Sequence, residues 1–149
     1  MEVIAFVGPS GTGKSYRASM VAKENNADGM IDDGLLISHG KVIAGTSAKR
    51  EATRIASVKH ALFIPSEYAA EMKKALRKSR IKRLMILGTS ENMAIKIAKR
   101  LEIGPIQRFI HIEDVATPNE ISMANRMRLE DGKHVIPVPT FEIQKQFSG

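Results

Sequence analysis

Gly8-Pro9-Ser10-Gly11-Thr12-Gly13-Lys14-Ser15 is the stretch from which the architecture of this chain can be inferred. It fits the spacing G-x-x-x-x-G-K-[ST] at every required position. The apolar run before it, at residues 3–7, is typical of a strand buried on both faces of a parallel sheet. The residues after it favour a helix over 14–24, with a small apolar face at helical spacing. The chain therefore opens with a strand, a glycine-rich turn and a helix.

The chemistry of such a turn is that of an anion site. Backbone N–H groups in a glycine-rich turn can point inward together and form a nest. Gly8, Gly11 and Gly13 lack the Cβ atom that would block these backbone shapes or the close approach of phosphate. The helix that begins near Gly13 adds the positive end of its dipole. We expect Lys14 to reach the β- and γ-phosphates of a nucleoside triphosphate and Ser15 to hold Mg²⁺ through its hydroxyl.

The stretch resembles the Walker A motif of P-loop NTPases, with the glycine spacing common in P-loop kinases. The resemblance implies ATP and Mg²⁺ as ligands and Lys14 as a catalytic cation. It implies contacts to nucleotide along the whole loop, from Gly8, Pro9, Ser10, Gly11, Thr12, Gly13, Lys14, Ser15 and Tyr16. The rival dinucleotide spacing G-x-G-x-x-G fails, because Tyr16 stands where its third glycine is required.

Composition places the chain among ordinary globular proteins. It has 149 residues, of which 43% are hydrophobic and 26% charged, and this predicts a domain with a real core. The absence of cysteine excludes disulfides and thiolate metal sites. The chain begins directly with a strand, and no apolar run approaches the ~20 residues of a membrane helix. We therefore expect a cytoplasmic protein with no membrane partner.

The positive charge of the chain has two interpretations. A formal net charge of +7 attracts anions in general, and the densest basic run lies at residues 73–83. That run predicts either a nucleic-acid or polyanion patch, or an outer helix whose cations match the helix dipole. The second is favoured, because only 5% of residues are aromatic and none is tryptophan. Nucleic acid is therefore a partner that the sequence does not favour.

Two acids follow the predicted second strand. Asp32 and Asp33 come after a short apolar step, where the second strand of such a fold delivers residues to the ligand edge of the sheet. Asp32 is a candidate Mg²⁺ ligand through water, and Asp32 or Asp33 is a candidate catalytic base for a substrate hydroxyl. Some small-molecule P-loop kinases, which this arrangement resembles, place an aspartate there for that task. The alternative is an ordinary Asp-Gly turn.

A second strand–glycine–helix unit departs from the P-loop pattern. The predicted strand over 84–87 ends in Gly88-Thr89-Ser90, with no acid where many NTPases keep the Walker B aspartate. Efficient unassisted hydrolysis of ATP is therefore not expected, and Thr89 or Ser90 is a candidate for orienting water or ligand. Glu113 and Asp114, at the end of a predicted strand over 109–114, are the other candidates for the Walker B acid.

The remaining pattern completes the set of predicted elements. A hairpin is predicted over 35–44 around His39-Gly40, and helices over 49–62 and 66–79. In the first helix Ile55, Val58 and Leu62 fall on one face; the second should be capped by Ser66 and bury Ala69, Met72 and Leu76. Lys49, Arg50 and Arg54 are either phosphate contacts or a solvated basic face. A helix from about 117 to 129, with Arg126 and Arg128 as a candidate lid, and a strand over 133–139 follow.

Alternating strands and helices with short connections predict an α/β fold. We expect a P-loop NTPase-like three-layer α/β/α arrangement with a mostly parallel sheet, in which the hairpin is an insertion or an antiparallel edge. Residues 1–139 form the predicted nucleotide-binding domain. Residues 140–149 form a C-terminal tail that is either truncated, as part of a longer protein, or flexible.

Four further pieces look similar to a family of uncharacterised bacterial P-loop proteins. They are Asp32-Asp33-Gly34-Leu35-Leu36, Ser47-Ala48-Lys49-Arg50-Glu51, Leu87-Gly88-Thr89-Ser90 and the run over 132–139. The resemblance implies the fold and ATP binding, and no particular reaction.

Three functional hypotheses follow. The first is an ATP-binding protein that acts as a Mg²⁺-dependent ATPase or a nucleotide-dependent switch. The second is a kinase that transfers the γ-phosphoryl group of ATP to a small-molecule or nucleotide acceptor. The third is a basic polyanion-binding module regulated by nucleotide. A GTPase and an ABC-type ATPase are disfavoured, because Asn-Lys-x-Asp and Ser-Gly-Gly sequences are missing.

Overall fold

A computed structural model describes residues 1–115 of the chain. The predictions that fall after this point lie outside the described residues. They are the helix at 117–129 with Arg126 and Arg128, the strand at 133–139 and the tail at 140–149.

The described residues form an α/β structure around one six-stranded mixed sheet. Its strands are β1 (Glu2–Val7), β2 (Gly29–Asp32), β3 (Leu35–Ser38), β4 (Lys41–Gly45), β5 (Arg83–Gly88) and β6 (Ile106–His111). The spatial order is β4-β3-β2-β5-β1-β6. Strands β2, β5, β1 and β6 pair in parallel, and β3 and β4 add an antiparallel edge. The predicted hairpin is therefore confirmed as an edge of the sheet.

The helices follow the strands along the chain. They are α1 (Lys14–Glu24), α2 (Arg54–Ala61), α3 (Ser66–Ser79), α4 (Glu91–Arg100) and the short α5 (Ile112–Val115), with a 3₁₀ turn at Ala48–Arg50. The predicted bounds of α1 and α3 are confirmed. Among the described residues, no helix combines the length and the apolar character needed to cross a bilayer.

Apolar side chains cover both faces of the sheet, because successive residues of a strand point to opposite faces. Val3 and Val7 of β1 join a core with Met72 of α3 and Ile97 of α4. Phe6, on the other face of β1, joins a second core with residues of α1 such as Val21 and with Met85 and Ile110. Strand β1 is thus buried on both faces, and it delivers its carboxyl end to a fixed position.

The carboxyl end of β1 lies between its two neighbours. Val7 pairs with Gly88 at the end of β5 and with His111 at the end of β6. The backbone N–H of Gly8 then donates to the carbonyl of Gly88 over 3.1 Å. The chain therefore leaves β1 at the middle of the edge where the parallel strands end.

The prediction of one helix over 49–62 is wrong. Ser47 accepts a hydrogen bond from the N–H of Lys49 and starts the 3₁₀ turn, and Thr53 accepts one from Ala56 and starts α2. Two N-caps therefore divide the segment into two elements. Of the three residues predicted on its apolar face, Ile55 and Val58 are exposed, whereas Leu62, just after α2, packs against the core.

The face of α2 that turns inward is set by a polar side chain. Ile55 is 70% exposed and Val58 51%, whereas His60 is buried. Both ring nitrogens of His60 find hydrogen-bond partners inside, and burial of a polar group is tolerated when it is paired in this way. The helix is consequently rotated so that its β-branched residues face outward.

Two smaller predictions also need correction. Ser66 does not cap α3, because Pro65 occupies the N-cap position and Ser66 is already the first helical residue. The predicted stripe of Ala69, Met72 and Leu76 is nevertheless buried as expected. Strand β6 ends at His111, so Glu113 and Asp114 lie in α5 rather than at a strand end.

Candidate functional site

The loop from Gly8 to Ser15 uses its glycines for two separate reasons. Gly11 and Gly13 have φ angles of 80° and 89°, in the left-handed region that L side chains rarely adopt. At Gly8 the constraint is steric, because a Cβ atom there would lie 2.5 Å from Cγ2 of Ile112. The backbone path of the loop is thus tied to these three positions.

The positive end of α1 begins inside the loop. Gly13 is the N-cap of this 11-residue helix, and no side chain forms a capping hydrogen bond there. An acceptor from outside the chain would complement this end of the helix dipole. Tyr16 is half-buried in the first turn, and burial raises the pKa of its hydroxyl.

Two side chains of the loop converge on one carbonyl. The hydroxyl of Thr12 donates to the carbonyl oxygen of Pro9 over 2.6 Å, and Nζ of Lys14 donates to the same oxygen over 3.2 Å. The ammonium group of Lys14 is therefore folded back over the loop that contains it. Ser10, between Pro9 and Gly11, is exposed at the tip of the loop.

A hydrogen bond joins the loop to the end of β2. Oγ of Ser15 donates to Oδ2 of Asp32 over 3.2 Å. Burial raises the pKa of Asp32, the Ser15 hydrogen bond opposes that rise, and Asp33 adds to it. The charges of Lys49 and Lys14 lower this pKa. The structure thus brings together the two predicted metal ligands.

The side-chain oxygens of Ser15 and Asp32 are suitable ligands for Mg²⁺ when phosphate is present. Within residues 1–115 no group of three or more His, Cys, Asp or Glu side chains could hold a metal ion. A hydroxyl and one carboxylate fit the usual mode for Mg²⁺, which takes one or two protein oxygens and completes its octahedron with waters and substrate phosphates. A metal ion at Ser15 and Asp32 therefore requires a phosphorylated ligand.

Asp33 has a different role from Asp32. Its carboxylate accepts a hydrogen bond from the hydroxyl of Ser47 over 3.0 Å, and its carbonyl accepts one from the N–H of Ala48 over 2.9 Å. Its φ angle of 53° turns the chain sharply towards β3. Asp33 therefore fixes the loop at 46–50 beside the site. It is not brought to Ser15 as Asp32 is.

A polar network around the buried ring of His60 supports that loop, and no pattern in the sequence indicates it. Nδ1 of His60 lies 2.7 Å from Oε2 of Glu51, and Nε2 lies 3.2 Å from Oγ1 of Thr46. The ring of His60 stacks on Tyr68 at a centroid distance of 4.0 Å, and the Tyr68 hydroxyl donates to Glu51. The network spans both ends of the segment 46–51 and holds it against α2 and α3.

A second pair that sequence reasoning missed lies at the ends of β5 and β6. Nε2 of His111 is 2.6 Å from Oε2 of Glu91 in the first turn of α4. Nothing in the sequence places residue 91 next to residue 111, because the pairing depends on β5 and β6 flanking β1. Of the acids proposed for the Walker B position, Asp114 accepts the backbone N–H of His111 over 3.3 Å, and Glu113 is exposed.

The basic run at 73–83 is partly neutralised within the chain. Lys73 pairs with Glu102 over 2.8 Å, and Arg83 pairs with Glu2 over 2.7 Å and donates to the carbonyl of Asn25. These contacts leave fewer cations of the run for a polyanion. A cleft of about 730 Å³ lies between α3 and α4, lined in part by Lys73, Lys96 and Lys99. Both helices pack on the face of the sheet opposite α1.

Comparisons of this chain with protein-family models, with curated proteins and with solved structures find no match.

Proposed function

We propose that this protein binds ATP with Mg²⁺ at Gly8–Ser15 and acts as a Mg²⁺-dependent ATPase or a nucleotide-dependent switch. The observation that carries the proposal is the hydrogen bond from Ser15 to Asp32, which pairs two Mg²⁺-type ligands directly beside a glycine loop. We infer that the α/β fold is of the P-loop NTPase type, with the site at the edge where β1, β2, β5 and β6 end.

Different groups of the loop at 8–15 and of α1 would contact different parts of the nucleotide. The loop amides and the amino end of α1 receive the phosphates, and Gly11 and Gly13 permit the backbone shape that aims those amides inward. Lys14 exchanges the carbonyl of Pro9 for the β- and γ-phosphates, which gains a charge-assisted hydrogen bond. Ser15 and Asp32 would hold Mg²⁺, which would neutralise charge on the phosphates.

The switch component follows from the loop at 46–50. Asp32 is adjacent to Asp33, which hydrogen-bonds to Ser47 and Ala48. A change in the ionisation or position of Asp32 would therefore alter the position of that loop. Lys49, in the same loop, acts electrostatically on the Asp32 carboxylate, whose pKa it lowers. Loops that are held by γ-phosphate and metal and released on hydrolysis are a general switching device.

A kinase is the second candidate, and Lys49 is the observation that favours it. A cation from a separate loop that acts electrostatically on Asp32 would help to hold an anionic acceptor beside the γ-phosphate. ADP release that depends on one added metabolite would support this alternative, and ADP release that ignores all of them supports the ATPase.

Titration calorimetry with MgATP tests nucleotide binding. The wild-type protein should give a heat of binding that Lys14→Ala abolishes and EDTA weakens. Lys23→Ala is a matched control, because it removes the same charge from the last turn of the same helix, and it should bind as wild type. Absence of heat with every nucleotide, or wild-type affinity in Lys14→Ala, would contradict the proposal.

A further inference from the structure

The pair formed by Glu91 and His111 crosses the carboxyl end of β1. Gly88 and His111 both pair with Val7, from opposite sides of β1. Glu91 follows Gly88 by three residues, and its Oε2 lies 2.6 Å from Nε2 of His111. A contact between these side chains must span the point where β1 leads into Gly8. It therefore lies at the start of the loop that is proposed to hold phosphate.

Each member of the pair is fixed by its own backbone. Ser90 caps α4 by accepting the N–H of Met93 over 3.1 Å, and this sets the first turn that carries Glu91. The backbone N–H of His111 donates to the carboxylate of Asp114, whose Oδ2 also lies 3.7 Å from Nδ1 of the ring. The side chain of Glu91 is 49% exposed and that of His111 40%, so a small molecule can reach both.

The two carboxylate oxygens of Glu91 have different surroundings, because only Oε2 is hydrogen-bonded to His111. Nε2 of His111 faces a carboxylate, so we assign the proton to that nitrogen, which donates to Oε2. Within residues 1–115, His111 is the partner found for Glu91, and it leaves Oε1 for a nucleophile. Two other acids have partners of their own: Asp32, the last residue of β2, accepts from Ser15, and Asp33 accepts from Ser47.

We propose that Glu91 is the catalytic base of the phosphoryl-transfer step and that His111 is its positioning residue. The inference rests on the proposed nucleotide site. The oxygen of water or of an acceptor hydroxyl attacks the γ-phosphorus, and the bond from that phosphorus to the β–γ bridging oxygen breaks. The electron pair of that bond leaves with ADP. The proton of the nucleophile passes to Oε1 of Glu91 and then to solvent.

Glu91→Gln tests the base, with Glu67→Gln as its matched control. Glu67 occupies the first turn of α3 as Glu91 does that of α4, so both variants lose one carboxylate near a helix amino end. Glu91→Gln should lower kcat by about 10²- to 10⁴-fold, the range of a lost general base. Its affinity for a non-hydrolysable ATP analogue should stay within about threefold of wild type. Glu67→Gln should keep wild-type kcat.

His111 is tested by a pair of variants. His111→Ala removes the donor to Glu91 and should lower kcat without changing KM, because the ring acts through the orientation of the base. His111→Gln places an amide N–H near the former Nε2 and should restore part of kcat. A merely structural role would move stability and binding together and would give no such rescue.

Product analysis identifies the nucleophile. Release of inorganic phosphate in equal amount to ADP indicates water, whereas ADP release without phosphate on addition of a hydroxyl compound indicates transfer. Turnover unchanged in Glu91→Gln would overturn the inference and leave the nucleotide site standing. The inference on Glu91 would also be overturned if the wild-type protein binds MgATP but consumes none with water or any hydroxyl acceptor. Failure of wild-type protein to bind nucleotide would instead overturn the proposed function itself.

Discussion

Ser15 and Asp32 are joined by a hydrogen bond of 3.2 Å although 17 residues separate them in the chain. One belongs to the first turn of α1 and the other to the last residue of β2, and strand β5 lies between β1 and β2 in the sheet. The contact is therefore a product of the strand order. It places a hydroxyl and a carboxylate where the loop at 8–15 meets the edge of the sheet.

The first prediction concerns the dependence of nucleotide affinity on Mg²⁺. Ser15→Ala and Asp32→Asn should each reduce the gain in ATP affinity that Mg²⁺ provides by at least about tenfold, since Ser15→Ala removes a hydroxyl oxygen and Asp32→Asn removes the negative charge that attracts the metal. Calorimetric titrations with and without Mg²⁺ measure that gain. Ser19→Ala, one turn further along α1 and exposed, should behave as wild type. An unchanged Mg²⁺ effect in both site variants would show that the metal is held elsewhere.

A second prediction concerns the pH dependence of stability at Asp32. Burial raises the pKa of its carboxyl above the ordinary value of 3.8, so the folded state holds the proton more tightly than the unfolded state does. The stability that Asp32 contributes is therefore fully present below the unfolded-state pKa and is lost as pH rises through the raised pKa of the folded state. At pH 7 the ionised, buried carboxylate destabilises the folded protein. Asp32→Asn should raise Tm by a few degrees at pH 7.

The same gain should vanish in acid, where wild-type Asp32 is protonated in both states. Thermal melts of both proteins without nucleotide, at pH 7 and below the ordinary pKa of aspartate, measure the difference. A variant that is equally stabilised at both pH values, or destabilised at pH 7, would contradict the burial argument.

A third prediction concerns Gly8. An alanine there would place its Cβ 2.5 Å from Cγ2 of Ile112, so the loop or the start of α5 must shift. We expect Gly8→Ala to cost about 1–3 kcal/mol of unfolding free energy, as overpacking does, and to weaken nucleotide binding. Gly40→Ala is the comparison, because Gly40 has a φ of 76° and a Cβ atom added there would meet nothing within 4 Å among the described residues beyond its chain neighbours.

Gly40→Ala should therefore show backbone strain alone, about 1–2 kcal/mol, with unchanged nucleotide affinity. Urea denaturation and calorimetry separate the two effects. Normal nucleotide affinity in Gly8→Ala would indicate that the loop tolerates displacement from Ile112.

The fourth prediction concerns the network around His60. His60→Ala removes a ring that is 3% exposed and takes away a hydrogen-bond partner from both Glu51 and Thr46. It should cost about 2–4 kcal/mol of unfolding free energy. Tyr68→Phe keeps the stacked ring and loses one hydrogen bond, so about 0.5–1.5 kcal/mol is expected. Equal losses in urea denaturation would contradict this ranking.

Prediction from sequence succeeded where the signal was local. The bounds of α1 and α3 and the hairpin around His39-Gly40 followed from periodicity and turn residues, and all are present. It failed at α2, where a polar contact outside the helix decided which face turned inward. Ser66 shows that a capping pattern does not fix the start of a helix to the residue. The helix begins one residue earlier than the pattern predicts, so Ser66 is its first residue and Pro65 its N-cap.

The candidate site divides in the same way. The loop at 8–15 could be found from spacing alone, and Asp32 from its place after a strand. The different roles of Asp32 and Asp33 could not, because each depends on a partner, Ser15 or Ser47, brought near by folding. The pair of Glu91 with His111 could not be found either, since Glu91 begins the helix after β5 and His111 ends β6, and these two strands flank β1.

Local sequence was sufficient to specify the glycine loop, the buried character of β1 and the alternation of strands and helices. These features depend on neighbours in the chain, on the conformational freedom of glycine and on the periodicity of apolar residues. Which polar side chains meet at the edge of the sheet was settled only by the folded arrangement. The physical reason is that strand order and register set those distances, and both follow from burying the two faces of the whole sheet at once.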